Sequence, residues 1–343
     1  MGADICGVTL AELQAQCKAL DEPAYRAAQV FDWIYNKQAF SWADMSSLPK
    51  ILRDKLAAVI PFPVILEKAV RASTDGTKKF LFELCDSQLI EAVFIPTEKR
   101  AALCISSQAG CKFGCGFCAS GIGGWKRHLS TGEIMAQVLW AAKSCAGQGE
   151  LTHIVFMGVG EPFDNYDNVL KAVRLLNAPE AMKIAARRIT ISTCGVAPGI
   201  KRLAGEGLQV ELSVSLHAPS DAMRSRLMPV NRKYPLSELM KACRAYARDT
   251  NRQVTFEYIL IKDMTCTDRC ADELAGLLRG WLAKVNLIAC NPVGESAYQA
   301  PSMEKMMHFK HSLERRGVVT TFRTPRGRDI AAACGQLRRA RKG

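Results

Sequence analysis

The sequence predicts an α/β protein: a full or partial parallel (β/α)6 barrel behind a small helical domain and a β-hairpin linker. Three observations carry that expectation. Residues 1–62 repeat apolar side chains at helical spacing, residues 63–100 turn to β-branched and aromatic runs around turn signals, and from residue 101 strand-like and helix-like runs alternate. An open doubly wound sheet is the alternative arrangement of the same pattern. In both, ligands bind at the carboxyl ends of the strands.

Taken in order, TLAELQAQCKAL, EPAYRAAQVFDWIYNKQ and LPKILRDKLAAVI predict three helices in the first domain. VILEKAVRA and KKFLFEL, joined by the turn signal TDGT, predict a hairpin, and LIEAVFIP a further strand. The barrel is expected over residues 101–325. Its strands are AALCISS, THIVFM, RRITIST, VELSVSL, QVTFEYIL and VNLIAC, most of them apolar and β-rich as buried parallel strands are. Between and after them, STGEIMAQVLWAAKSC, NYDNVLKAVRLLN, PLSELMKACRAYARD, TDRCADELAGLLRGWLAK and SMEKMMHFKHSLERRG carry helical periodicity. A seventh strand-like run, VVTTFR, leads into a basic C-terminal segment, residues 326–343.

The 343 residues suit two units, or one large barrel with an appendage, at about 150 residues per domain. With 48% apolar and 23% charged residues, collagen-like, mucin-like and largely disordered chains are excluded. The start MGADICGV has no cationic stretch followed by an apolar run, and no segment reaches the roughly 18 apolar residues of a membrane span, so a cytoplasmic protein without a membrane partner is expected. Forty-six Lys and Arg against 33 Asp and Glu give a net charge of +13, which favours a polyanionic partner, nucleic acid first. A basic surface that only aids solubility is the alternative. Fourteen cysteines without an export signal point to metal binding or thiol chemistry rather than a disulfide framework.

Cys111, Cys115 and Cys118 form C-x3-C-x2-C just after the first barrel strand. Three thiolates at this spacing can hold three irons of a [4Fe–4S] cube and leave the fourth iron open. The competing reading is a zinc site with His128 as fourth ligand. GVGEP, residues 158–162, ends the second strand with exposed backbone and one carboxylate suited to an ammonium group, or is simply a loop. Ser192 ends the third strand, Ser215, Leu216 and His217 the fourth, and Asn291 the sixth, so they share one face of the barrel. By themselves, Cys334 reads as a free thiol on the tail, Cys104 as a buried small residue and Glu91 as an ordinary strand carboxylate.

C-x3-C-x2-C in this place resembles the radical S-adenosylmethionine (SAM) superfamily, and the string CISSQAGCKFGCGFCASG is similar to the RlmN/Cfr family of RNA adenine methyltransferases. The likeness runs from the N-terminal helices to RGRDIAAACGQL, nearly the whole chain. It implies the partial (β/α)6 radical-SAM barrel, a [4Fe–4S] cluster on Cys111, Cys115 and Cys118, and two SAM molecules per turnover. It assigns SAM binding to Gly160, Glu161, Ser192, Ser215, Leu216, His217 and Asn291. It makes Cys334 the methyl carrier, Cys104 the resolving thiol that closes a transient disulfide with Cys334, and Glu91 the proton acceptor. The implied substrates are 23S ribosomal RNA and the tRNA adenosine next to the anticodon, with an external electron donor such as flavodoxin. An adenine ring carbon with an unreactive hydrogen is beyond ordinary SAM displacement, which is why a radical, a carrier thiol and a resolving thiol are all implied.

One branch of that family methylates adenine C2 and another C8. GEP at 160–162, HAP at 217–219 and NP at 291–292 look more like the C2 branch. Readings from other classes are a catalytically silent iron–sulfur RNA-binding protein, which needs neither Cys104 nor Cys334, and an activase acting on a protein, which leaves the charge of +13 unexplained. Most of the remaining thiols, among them Cys145, Cys194, Cys243, Cys266, Cys270 and Cys290, are expected in the core. The tail cluster of Arg338, Arg339, Arg341 and Lys342 is either an RNA contact or a solvated end.

Overall fold

Thr9 begins the first helix: its hydroxyl accepts from Glu12 N while Thr9 N donates to the Glu12 carboxylate at 2.7 Å, satisfying two end donors reciprocally. Helix α1 (Leu10–Ala19) is followed by α2 (Tyr25–Phe31), which runs on into a π-helical turn (Asp32–Asn36), and by α3 (Lys50–Val59). Their apolar faces, with Leu13, Val30, Phe31, Ile34, Leu52 and Leu56, are buried in the main core. In this computed structural model, residues 4–291, 293 and 298–337 are described. Pro292 and the tail cluster of Arg338, Arg339, Arg341 and Lys342 lie outside the described residues.

Three antiparallel strands come next: β1 (Ile65–Ala72), β2 (Lys78–Leu84) and β3 (Leu89–Pro96), the last pairing antiparallel with β4 (Arg100–Cys104). The two-residue strands β5 (Gln108–Ala109) and β6 (Arg127–His128) form a separate ribbon. From there strands and helices alternate: α4 (Thr131–Ser144), β7 (Glu150–Phe156), α5 (Tyr166–Asn177), β8 (Ile189–Thr193), α6 (Ala197–Ala204) and β9 (Glu211–Ser215). After β9 come α7 (Asp221–Leu227), α8 (Leu236–Thr250), β10 (Val254–Leu260), α9 (Asp268–Leu278), β11 (Ala283–Ala289), α10 (Met303–Arg315) and β12 (Val319–Phe322).

Among the described residues the large sheet has ten strands in the order β1-β2-β3-β4-β7-β8-β9-β10-β11-β12, parallel from β4 onward. The seven parallel strands are the six expected ones and the VVTTFR run. β1 and β12 lie at opposite ends of the order, so the barrel is open. It nevertheless curls: Arg323, just past β12, donates from Nη1 to Met157 Sδ, just past β7, at 3.0 Å. Strand β10 is buried along its whole length, as a central strand covered on both faces must be. Helix α4 seats the N-terminal module. Ser130 Oγ donates to Asp4 Oδ2 at 2.9 Å, and a Cβ on Gly132 would fall 1.3 Å from Asp4 Oδ1, so only glycine admits this contact. Helices α6 and α7 lacked a long enough apolar period to be legible; α6 is eight residues and α7 seven.

Candidate active site

The ribbon of β5 and β6 brackets the loop that carries Cys111, Cys115 and Cys118. Its limbs cross at Gly110, where φ is +84° and a Cβ would lie 2.0 Å from Gly124 O. Cys115, Phe113 and Phe117 pack against Leu227, Met228 and Ile259, and Gly116 N donates to Leu227 O at 2.9 Å. The three thiols thereby line a cavity of about 150 Å³ at the carboxyl ends of the parallel strands. Burial pushes all three thiols up, Cys111 to about 12, and the Cys118 charge adds to the shift at Cys111 and Cys115. Thiolates so placed call for a positive partner. Among the described residues no three His, Cys, Asp or Glu side chains converge on a single ion. His128, the fourth zinc ligand of the competing reading, instead sits 3.0 Å from Gln108 Nε2 with its ring edge-on to Trp125. Thiols spread around a cavity suit a cube, whose corners are separate irons.

The turn after β7 forms the next part of the wall. A Cβ on Gly158 would lie 2.5 Å from Ile105 O, and one on Gly160, whose φ is +109°, 2.6 Å from Gln108 Cβ. Both glycines are required for the turn to lie against the first strand's exit. Glu161 follows, buried, with its N–H donating to Gln108 Oε1 at 2.8 Å. Its carboxylate accepts from Phe163 N at 3.0 Å and Cys194 N at 2.7 Å. Burial raises its pKa while those N–H groups oppose the shift, and the carboxylate lines the cavity as the site for a positively charged group.

Ser192 and Ser215 line the same cavity from the ends of β8 and β9. These ends are tied together by Arg224 of α7, a fully buried guanidinium that donates to Cys194 O at 2.7 Å, Ser215 O at 3.1 Å, Leu216 O at 3.2 Å and Asn231 Oδ1 at 2.8 Å. His217 has φ +58° and accepts on Nδ1 from Ile259 N at 3.1 Å, its ring edge-on to Phe117 with centroids 4.6 Å apart. Burial, then the charge of Arg224, pulls its pKa down to about 3, so the imidazole is neutral.

The remaining wall is made by Arg323 and the C-terminal segment at Cys334 and Gly335, which packs on β3 and β4. Cys104 ends β4, and Cys334 borders the cavity from the segment after β12. Asn291 Nδ2 donates to Cys334 O at 3.1 Å and Arg328 Nε to Asn291 Oδ1 at 3.0 Å, while Ala119 N, next to Cys118, donates to Gly335 O at 2.7 Å. Arg323 lines the same cavity as Cys334. The Cys334 thiolate is the chief cause of an upward shift at its guanidinium, with Glu257 and Cys104 adding to it. Cys104 is pushed up to about 12 by burial and by the Cys334 charge, against the pull of Arg323. Glu257, held by Ser213 Oγ at 2.8 Å and Asn286 Nδ2 at 3.1 Å, completes this floor 3.8 Å from Arg323.

Of the residues singled out in the sequence, the structure gathers the three clustered cysteines, Gly160, Glu161, Ser192, Ser215, His217 and Cys334 around one cavity. Leu216 is in the main core and meets the site through its backbone, its carbonyl on Arg224. Asn291 lines a smaller adjoining cavity with Arg323 and Cys334. Glu91 is buried in β3, lines neither cavity, and pairs with Lys79 at 3.1 Å. Arg224, Arg323, Glu257, Lys79 and Cys194 escaped sequence reasoning. Glu257 carried a signal, a carboxylate inside the apolar run VTFEYIL; so did Cys194, directly after a strand end, which packs on a small core cluster and also lines the cavity. Nothing local marks Arg224 or Lys79.

Two family models match the chain: the Radical SAM superfamily over residues 105–270, and the ribosomal RNA large subunit methyltransferase N-terminal domain over residues 3–61. The chain is 43% identical to the probable dual-specificity RNA methyltransferase RlmN of Clostridium novyi, covering 98% of each, and 48% identical to that of Pelotomaculum thermopropionicum, covering 97% of this chain and 90% of the other. A crystal structure of a radical SAM methyltransferase from Sphaerobacter thermophilus superposes with a TM-score of 0.95 at 46% identity, covering 98% of this chain and 99% of that one. Fold and cavity therefore define a SAM-dependent radical enzyme that methylates RNA. The chain belongs to the RlmN family of RNA methyltransferases. Its cofactors are a [4Fe–4S] cluster and SAM, and the three separated thiols beside a buried carboxylate fit both. No helix among the described residues is long and apolar enough to cross a membrane.

Proposed function

We propose that this enzyme methylates C2 of adenine in 23S ribosomal RNA and in tRNA next to the anticodon, with Cys334 as methyl carrier. The two substrates rest on the dual-specificity name that the relatives carry. The GEP, HAP and NP strings and those RlmN relatives support C2 over C8. The observation that carries the reading is that Cys334 lines the three-thiol cavity while Cys104 packs with Ala332 and Leu337, which flank Cys334 in the C-terminal segment. A silent RNA-binding protein needs no such pair.

Cys111, Cys115 and Cys118 hold the cluster, and Gly160, Glu161, Ser192, Ser215, His217 and the Leu216 backbone hold SAM, with Asn291 fixing the carrier segment from the adjoining cavity. When bound, these groups supply an electrophilic methyl group and then a 5′-deoxyadenosyl radical. Cys334 loses its thiol proton, takes the methyl group and later presents the S-bound carbon to the adenine ring. Arg323 offsets the thiolate charge there. Glu91 accepts the ring proton. Cys104, as thiolate, attacks Cys334 Sγ; the S–S bond forms as the bond from sulfur to the product carbon breaks, and that carbon keeps the electron pair and takes a proton. An external donor such as flavodoxin supplies electrons. The module of residues 1–62 is an accessory RNA-binding domain, and the substrates place the enzyme in the cytoplasm.

The test is product analysis. Reconstituted enzyme given SAM, a reductant and transcripts of both RNAs is expected to yield 2-methyladenosine from each. Exclusive 8-methyladenosine, or modification of neither RNA, contradicts the proposal.

A further inference from the structure

Lys79 stands where the proposed base meets the carrier segment. In the register of β2, β3 and β4, Lys79 pairs with Val93 and Val93 with Cys104, so the three share one face, and Glu91, two residues from Val93, lies on that face in the next row. Ala332 and Leu337 of the C-terminal segment pack on Val93 and Cys104. Beneath this apolar cover, Lys79 Nζ lies 3.1 Å from Glu91 Oε1 and donates to Ala331 O at 3.0 Å, with side-chain exposures of only 10% for Lys79 and 7% for Glu91. Ala331 has φ +52°, a conformation that a side chain disfavours, so the bond to its carbonyl helps hold a strained turn three positions before Cys334. A buried ion pair is weak evidence for stability, because apolar residues of similar volume often serve as well. Its place against the carrier segment calls for another reason.

We propose that Lys79 is a positioning residue for proton removal, aiming the Glu91 carboxylate while the same ammonium group fixes the Ala331 carbonyl and thus the path to Cys334. The proposal rests on the reading of Glu91 as proton acceptor. Without the ammonium, the Glu91 carboxylate loses a partner that orients it, and transfer of the ring proton slows. Methyl transfer to Cys334 precedes that step and makes no use of the base.

The experiment follows three steps in holoenzyme: labelled methyl on Cys334, covalent RNA–protein adduct by intact mass after nuclease digestion, and released methyladenosine. Lys79→Met is expected to release product about tenfold or more slowly and accumulate adduct while slowing methylation of Cys334 far less, since a general base contributes roughly 10²–10⁴-fold. Lys79→Arg, which keeps the charge, is expected to restore most of the release. Normal release by Lys79→Met, or loss of Cys334 methylation in step with release, overturns the proposal. Should Lys79→Met fail to fold, Lys79→Met with Glu91→Gln removes both charges of the pair; it should stall no further than Glu91→Gln alone, and loss of Cys334 methylation in this double variant makes Lys79 structural only. A Glu91→Gln enzyme that releases product normally overturns the assignment of Glu91 itself, and Lys79 with it. Impaired Glu91→Gln beside an unaffected Lys79→Met overturns Lys79 alone.

Discussion

Glu161, Ser192, Ser215 and His217 come from the ends of consecutive parallel strands, whereas Cys104, Glu91 and Cys334 come from an antiparallel stack and a segment far along the chain. The first wall is aligned by the barrel itself, because each strand delivers its last residues to the same rim. The second group, of which only Cys334 lines the cavity, has no such frame. It is stapled by specific polar bonds: Ser73 Oγ to Asp329 at 2.6 Å and Lys79 to Ala331 O, over sequence separations of 256 and 252 residues, with Gly327 N to Asp75 at 3.1 Å. Binding groups sit on the strand ends and the reacting thiol on the stapled segment.

The largest effect separates the walls outright. Replacing Cys111, Cys115 and Cys118 together by Ser is expected to take iron from about four per chain to none, with all methylation lost, while Cys104 and Cys334 still close a disulfide under a mild oxidant. Iron retained by the triple variant, read by metal analysis, breaks the assignment of the first wall.

A smaller effect tests the rigidity of that wall. Gly160→Ala forces a side chain into φ +109° and against Gln108 Cβ 2.6 Å away. A loss of about 1–3 kcal/mol in urea unfolding, with weaker SAM binding, is expected. An unchanged midpoint would mean that the turn yields at no cost.

The smallest effect is a dependence on pH. His217 is held neutral, its pKa lowered to about 3 by burial and by Arg224, so unfolding releases a group that protonates more readily. Its contribution to stability is therefore present above the unfolded value near 6.5 and is lost as pH falls toward 3, at up to about 1.4 kcal/mol per pH unit. His217→Asn keeps an acceptor for Ile259 N and tolerates the positive φ. Chemical denaturation of the cofactor-free protein between pH 6.5 and 4 is expected to show a shallower slope in this variant; equal slopes would remove His217 from the account.

The asymmetry also governs what sequence reading reaches. The apolar runs ending in Ser192 and Ser215 expose the strand ends, and glycines around Glu161 mark a close approach, so the first wall follows from periodicity and topology. Cys104, Glu91 and Cys334 look ordinary in their own surroundings, and only family resemblance joined them. Arg224 stays hidden because its burial depends on four acceptors brought in from β8, β9 and the turn at Asn231. Arg323 becomes meaningful only when the sheet curls and carries it to Met157. Long-range closure leaves no local trace.

The central claim is that two thiols on the stapled wall act in succession, and Cys104→Ala tests it most directly. Expressed in cells, purified, digested with nuclease and weighed intact, this variant is expected to carry an RNA fragment bound through the Cys334 methylene, because the carrier has reacted and nothing resolves it. Cys334→Ala, treated in the same way, should carry none. A Cys104→Ala enzyme that turns over normally to free methyladenosine, with no mass added to the protein, would contradict the account.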